Sequence, residues 1–155
     1  MSAIKMNEEI VKIALQKAEE AFAREDVPVG AVVFDSQTGE VLCAAGNRVE
    51  ADNNPLAHAE MLVLQEACRL LGRPNLTGYS LFSTVEPCPM CAGGVAWAKP
   101  DAVYFGALDE KSGAVESGIR LFDQESCHYH PPVASGFEAE KCARLMKDFF
   151  KRLRK

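Results

Sequence analysis

Two short segments of the chain carry side chains that bind metal ions. The first is His58-Ala59-Glu60, and the second is Cys88-Pro89-Met90-Cys91. A Cys-x-x-Cys pair places two thiols one helical turn apart, so that both can bind one ion. With one imidazole they make three protein ligands, and the fourth position of tetrahedral zinc stays open for water, as in catalytic sites. The spacing therefore predicts one catalytic zinc ion per chain, held by His58, Cys88 and Cys91.

Glu60 lies two residues after the predicted imidazole ligand and is left free for proton transfer. A carboxylate beside a zinc-activated water can accept a proton and deliver it to the substrate. The two motifs together, His58-x-Glu60 and Pro87-Cys88-x-x-Cys91, resemble the signature of zinc-dependent nucleobase deaminases. We therefore predict that Glu60 is the general acid and base of a hydrolytic deamination, which releases ammonia from an exocyclic amine.

Each motif taken alone permits another interpretation. Cys-Pro-Met-Cys at a helix start also resembles the redox motif of thioredoxin-like proteins. A structural zinc site could instead recruit Cys127 with His128 or His130. Neither alternative gives His58 and Glu60 a role, so the deaminase interpretation is preferred and Cys127, His128 and His130 are assigned no metal.

The two motifs need helix starts that face each other, and the sequence predicts them. Helical spacing of apolar residues predicts helices from Asn7 to about Glu25, 57–71, 89–98 and 138–152. Runs rich in β-branched residues predict strands at 29–35, 40–45, 79–85 and 102–105, with a fifth near Val133. The first two strands should form a hairpin, the strands at 79–85 and 102–105 should pair in parallel, and 107–136 should be a long loop.

Composition restricts the class of protein. A chain of 155 residues that is 48% apolar is predicted to form a single domain over residues 1–155. It has no apolar run long enough to span a membrane, and Met1 to Asn7 lacks the layout of a secretory signal, so a cytoplasmic protein with reduced cysteines is expected. The net charge of −5 argues against a protein that coats nucleic acid, although the C-terminal Lys147, Lys151, Arg152, Arg154 and Lys155 could contact phosphates.

Beyond the metal motifs, the chain resembles bacterial tRNA-specific adenosine deaminases over most of its length. The matching stretches are Val27 to Val33, Asn47-Arg48, Ala57 to Glu60, Glu86 to Cys88 with Met90 to Gly93, Phe105 to Ala107 with Asp109, Lys111, Gly113 and Ala114, and Asp148-Phe149-Phe150. The resemblance implies an α/β, three-layer α-β-α cytidine deaminase-like fold, with a mixed sheet of about five strands and helices on both faces. It also implies a homodimer.

Further roles follow from the resemblance alone. It implies that Asn47 and Val29 hold the base, that the backbone at Ala59 and Cys88 positions base and water, and that Asp109 lies beside the nucleotide. The implied reaction converts adenosine to inosine in a tRNA anticodon loop, at the wobble position.

A deaminase of a free base or nucleoside stays open as an alternative, because the zinc motif is shared by such enzymes. The chain also departs from the family pattern. It has Leu56 where a Thr is usual, Leu108 where a polar or basic residue is usual, and Cys127 to Pro132 in place of an Asn-His-Arg stretch.

Overall fold

A computed structural model describes residues 6–154, which form a five-stranded sheet between two helical layers. The predictions made for the first residues of the chain and for Lys155 fall partly outside this range. The elements in chain order are α1 (Glu8–Ala23), β1 (Gly30–Asp35), β2 (Val41–Gly46), α2 (Val49–Asp52), α3 (Ala59–Leu71), β3 (Tyr79–Val85), α4 (Pro89–Ala98), β4 (Val103–Ala107), a short 3₁₀ helix (Leu121–Asp123), β5 (Val133–Ala134) and α5 (Ala139–Leu153).

The sheet is mixed, with the strand order β2-β1-β3-β4-β5. β1 pairs antiparallel with both β2 and β3, whereas β3–β4 and β4–β5 are parallel. The parallel pair β3 and β4 is connected through α4, as parallel strands require a crossover. The predicted fold class, the hairpin and the fifth strand are thereby confirmed.

Alternate residues of the central strands bury their side chains on opposite faces of the sheet. On one face, Val32, Phe34 and Phe82 pack against the apolar side of α1. On the other face, a larger core joins residues of the same strands to α3 and α4. α5 lies on the α1 side, where Phe137 just before it stacks edge-on against Tyr104 of β4. The sheet thus holds α3 and α4, which carry the candidate ligands, on one common face.

Close packing of α1 on the sheet depends on a glycine. A Cβ atom at Gly30 would lie 1.9 Å from the backbone oxygen of Ala14 in α1. The start of β1 can therefore approach the helix only because that residue has no side chain. Asn7 caps the same helix, since its Oδ1 accepts a hydrogen bond from the backbone N–H of Ile10.

Several bounds differ by one or two residues from the sequence predictions, and three differences matter for the site and its surroundings. The predicted loop from Asn47 to Leu56 contains the short helix α2, whose Glu50 and Ala51 N–H groups donate to the distant carboxylate of Asp26. α3 begins at Ala59, so His58 is its N-cap residue and does not lie in the first turn. β4 extends to Ala107 because it continues pairing with β3 as far as Val85. Over residues 6–154 no helix is long and apolar enough to cross a membrane.

Candidate metal centre and the cavity beside it

His58, Cys88 and Cys91 are brought together by the starts of two helices. His58 is the N-cap residue of α3, and Cys88 is the N-cap residue of α4. Pro89 follows at the first helical position, where its missing N–H leaves no hydrogen bond unmade. His58 Nδ1 lies 3.6 Å from Cys88 Sγ and 3.5 Å from Cys91 Sγ. These are the distances of one shared site.

The three side chains fit a zinc ion. Typical Zn–S and Zn–N bonds of about 2.3 and 2.0 Å at a tetrahedral angle place sulfur and nitrogen about 3.5 Å apart. The two observed separations agree with this value, and all three ligand atoms lie within 4.8 Å of one another. Two thiolates and an imidazole are also the donors that zinc prefers. These residues therefore form a potential zinc site, as the sequence predicts.

The thiols and the imidazole influence each other's protonation. A hydrogen bond from the Cys91 thiol, aided by His58 and opposed by burial, lowers the pKa of Cys88 to about 4. The same bond to Cys88, together with burial, raises the pKa of Cys91. The hydrogen bond with Cys88 raises the pKa of His58. Because zinc binds thiolates and neutral imidazole, metal binding would displace a proton from Cys91.

Glu60 is buried beside the ligands without being one of them. Its side chain is 4% exposed and accepts a hydrogen bond from Ser83 Oγ at 3.2 Å. Burial raises its pKa to about 7, with a smaller opposing effect from its own backbone N–H. A carboxyl group with a pKa near neutrality can both accept and donate a proton under physiological conditions.

Asn47 is fixed where β2 ends, by three contacts. Its side-chain Oδ1 accepts a hydrogen bond of 2.8 Å from the backbone N–H of Ala59, at the start of α3. Its backbone N–H donates to the carbonyl of Val29, and its own carbonyl accepts from the guanidinium of Arg24 at 2.9 Å. Since these contacts occupy the side-chain oxygen and the backbone, the side-chain NH₂ is the group left to meet a ligand.

A cavity of about 420 Å³ opens beside the metal ligands. Six of the eight predicted site residues line it: Val29, Asn47, His58, Glu60, Cys88 and Asp109. The remaining two, Ala59 and Cys91, are fully buried. A larger groove of about 1020 Å³ lies between α1 and α5, but none of the predicted site residues line it. We therefore place the candidate site at the smaller cavity.

Part of the cavity wall was not predicted. Its lining includes Asp26 and four residues from the last turns of α5: Met146, Phe149, Phe150 and Leu153. Helical spacing places Met146, Phe149 and Leu153 on one apolar face of α5, but it does not show that they line the cavity beside the metal centre. Asp26 is 1% exposed, and its Oδ1 is the one buried side-chain oxygen or nitrogen without a hydrogen-bond partner within residues 6–154. No sequence pattern marks that carboxylate.

Cys127, His128 and His130 are not among the described residues that are arranged to hold a metal ion. Cys127 is buried in the core and its thiol donates to the carbonyl of Tyr129. The imidazole of His130 is hydrogen-bonded to the carbonyl of Phe122. Across the described part of the chain, His58, Cys88 and Cys91 are the one group of three or more residues arranged to hold a metal ion.

Comparison with known proteins adds the family context. Residues 4–107 match the family model described as the cytidine and deoxycytidylate deaminase zinc-binding region. A tRNA-specific adenosine deaminase of Rickettsia bellii is 43% identical over 141 residues, which are 91% of this chain and 97% of that protein.

Two solved structures of deaminases are also similar to this chain. A structure from a study of A-to-I editing by tRNA:A34 deaminases at the wobble position of transfer RNA is similar, with a TM-score of 0.86 and 41% identity, covering 90% of this chain and 99% of the other. A guanine deaminase from Bacillus subtilis is similar with a TM-score of 0.63 and 30% identity, covering 96% and 94%.

Proposed function

Because the chain belongs to the cytidine and deoxycytidylate deaminase family and, within it, to the tRNA-specific adenosine deaminases, we propose that it converts adenosine to inosine at the wobble position of a tRNA anticodon. The enzyme is a zinc-dependent hydrolase. The observation that carries this proposal is the His58, Cys88 and Cys91 cluster beside a cavity that also contains an unligated carboxylate, Glu60.

The proposed mechanism assigns the proton transfers to Glu60. His58, Cys88 and Cys91 would hold the zinc ion, which would supply a lowered pKa for the attacking water. Glu60 lines the same cavity, accepts a proton from that water and delivers it to the ring nitrogen beside the reacting carbon. Glu60 then takes the proton of the hydroxyl that is now attached to this carbon and delivers it to the exocyclic amine, so that the C–N bond breaks and a carbonyl forms. Water and adenosine thus yield inosine and ammonia, and the carboxylate returns to its starting state.

The base is proposed to lie between Val29 and Asn47. The side-chain NH₂ of Asn47 can donate a hydrogen bond to a ring nitrogen, while Val29 gives a small apolar surface for a flat ring. Ala59 acts through its backbone, since its N–H holds the Asn47 side chain. Asp109, which lines the same cavity from the loop after β4, is proposed to lie beside the nucleotide. A structure with a bound nucleoside whose ring lies away from Val29 and Asn47 would contradict these assignments.

Exposed cations beside the cavity favour tRNA over a small substrate. Phe150 and Leu153 of α5 line the cavity, and Lys147, Lys151 and Arg154 are exposed on the same terminal turns. Such side chains can contact the phosphates of an anticodon loop while one unpaired base enters the cavity. A free base has no phosphates and gains nothing from them. The second candidate, guanine deamination, is favoured only by the likeness to the Bacillus subtilis enzyme.

A substrate comparison tests the proposal. We expect the zinc-loaded enzyme to release ammonia from a tRNA transcript with adenosine at the wobble position and to form inosine there. The matched control is the same transcript with guanosine at that position, which should release none. Adenosine, guanine and cytosine are assayed in parallel. If the enzyme releases ammonia from free guanine and leaves the tRNA unchanged, the chain is a guanine deaminase and the tRNA assignment is wrong.

The chain is also proposed to form a homodimer through α4. This helix has no charged residue, and Met90, Gly93 and Trp97 share one face at helical spacing. Trp97 is 82% exposed, and a Cβ at Gly93 would meet no atom within 4 Å, so this face is open. Such an uncharged surface with an exposed aromatic is typical of an interface. Light scattering should give about twice the 16.9 kDa chain mass, and Trp97→Lys should halve it. A wild-type monomer would contradict the proposal.

Two broader expectations are kept as proposals. We propose that residues 1–155 form one deaminase domain, since strands from 30 to 134 share a single sheet. We also propose a cytoplasmic location, because the proposed substrate is found there and all six cysteines are free thiols. Limited proteolysis that released a stable folded fragment would contradict the first proposal, and cell fractionation tests the second.

A further inference from the structure

Glu86, which follows β3 directly, gathers an unusual number of hydrogen bonds. Its side chain is 3% exposed. Oε1 accepts from the backbone N–H of Asp109 at 3.0 Å and from the hydroxyl of Ser117 at 2.9 Å. Oε2 accepts from the N–H groups of Val115, Glu116 and Ser117 at 3.0, 2.8 and 2.8 Å. Five donors thus converge on the two carboxyl oxygens of one buried side chain.

All five donors belong to one irregular segment, residues 109–117, here called the 109–117 loop. A loop without a strand partner must find acceptors for its N–H groups elsewhere, because unpaired buried donors are costly. The backbone beside Glu86 reinforces the connection. The Glu86 N–H donates to the carbonyl of Ala107, just before the loop, and the Ala114 N–H donates to the carbonyl of Pro87. Residues 86 and 87 therefore hold the loop at its beginning and its middle.

Gly113 allows the loop to close over the carboxylate. A Cβ atom built at Gly113 would lie 2.4 Å from both Cδ and Oε1 of Glu86, and 2.5 Å from the backbone oxygen of Asp109. Real Cβ atoms do not approach other atoms so closely, and backbone and buried atoms cannot move aside cheaply. The loop can therefore pack against the Glu86 carboxylate only because Gly113 has no side chain.

This arrangement connects the metal centre to the opposite wall of the cavity. Glu86 lies two residues before Cys88 and itself lines the cavity, and Asp109 lines the same cavity from the loop. Asp109 is held further by hydrogen bonds from Ser112 N–H to its Oδ1 and from Gly113 N–H to its carbonyl. We propose that Glu86 is a positioning residue for the substrate, which acts by fixing Asp109 and the 109–117 loop relative to the Cys88 end of the zinc site. This inference rests on the proposed function.

The main test is Glu86→Gln in the full-length, zinc-loaded enzyme. Glutamine keeps the size of the side chain but turns one acceptor into an NH₂ group that faces N–H donors. We expect zinc content and kcat to stay within about twofold of the wild-type values. The KM for the tRNA transcript should rise about tenfold, because the substrate binds more weakly when Asp109 is not held in place. Amide hydrogen exchange should become faster at residues 109 and 115–117. The matched control is Glu110→Gln, which changes an exposed acid in the same loop. It should change neither the KM for the tRNA transcript nor the rate of amide hydrogen exchange in the loop.

A double substitution separates positioning from general stability. If Glu86 acts through Asp109, then Glu86→Gln should raise KM less than about twofold further in an Asp109→Ala background. Gly113→Ala approaches the same contact from the loop side and should raise KM with zinc retained. Ser117→Ala, which removes one donor of the five, should have a smaller effect in the same direction.

The outcomes decide between positioning and other roles. Wild-type KM in Glu86→Gln, despite faster exchange in the loop, would overturn the proposal, as would loss of zinc or fully additive effects with Asp109→Ala. If Glu86→Gln does not fold, Gly113→Ala and Ser117→Ala decide by the same criteria. If the wild-type enzyme deaminates a free base and not tRNA, the proposed function fails independently. The KM comparisons are then made with that base, since Asp109 lines the same cavity.

Discussion

Glu60→Gln is expected to bind zinc as the wild-type chain does and to deaminate its substrate about 10⁴-fold more slowly. Removing a general acid or base slows a reaction by about 10²- to 10⁴-fold, and here one carboxylate serves several proton transfers in each turnover, which places the loss at the upper end. Zinc is retained because the ligands are His58, Cys88 and Cys91. Glutamine keeps the shape of the side chain and can still accept a hydrogen bond from Ser83, so folding should be unaffected.

Two quantities are measured for each variant: the rate of ammonia release at saturating tRNA and the zinc content per chain. Glu66→Gln is the matched control, because it makes the same chemical change at an exposed position of the same helix, α3. That variant should keep wild-type activity. If Glu60→Gln stays within tenfold of wild type, another residue transfers the protons and the mechanism proposed above is wrong.

The features that the sequence predicted correctly depend on neighbours in the chain. The bounds of β3 and α4 were predicted to the residue, because β-branched runs, Pro89 and helical spacing act within a few positions. The zinc site followed for the same reason. A His-x-Glu and a Cys-x-x-Cys, each at a predicted helix start, leave few ways to bring the ligands together other than the one observed.

The features that the sequence did not predict depend on contacts across the fold. At the start of α2, the carboxylate of Asp26 accepts hydrogen bonds from the N–H groups of Glu50 and Ala51, which lie 24 and 25 residues further along the chain. The 109–117 loop, predicted only as part of a long irregular segment, is held by Glu86 across 23 to 31 residues. In both cases the acid resembles an ordinary polar residue in the sequence, because only the folded chain supplies the donors.

The last helix shows how a correct pattern can leave a site incomplete. Helical spacing predicts one apolar face of α5 that includes Cys142, Phe149 and Leu153. Cys142 and Phe149 are buried, but Leu153 is 61% exposed near the end of the helix. The core no longer covers the helix there, and Phe150 and Leu153 line the cavity instead. A hydrophobic pattern identifies the side chains that avoid water without telling core from cavity wall.

Cys88→Ser is expected to lose both zinc and activity. A serine hydroxyl does not ionise near neutral pH, so the substitution removes one of the two thiolates and leaves two of the three ligands. Zinc content should fall from about one ion per chain to nearly none after dialysis against a chelator. Deaminase activity should fall at least about 10³-fold, because water is no longer activated. Metal analysis and ammonia release measure the two effects on the same sample.

Cys68→Ser is the matched control, since it makes the same atomic change in a half-buried thiol of α3 that is not a ligand. It should retain zinc and activity. The wild-type enzyme should also melt at a higher temperature with zinc than after chelation, because an ion that binds only the folded chain stabilises it by about 4 kcal/mol at 1,000 times its Kd. Cys88→Ser should lose most of this difference, whereas Cys68→Ser should keep it. Full activity in zinc-free wild-type protein would contradict the whole assignment, because the proposed mechanism needs zinc to activate the attacking water.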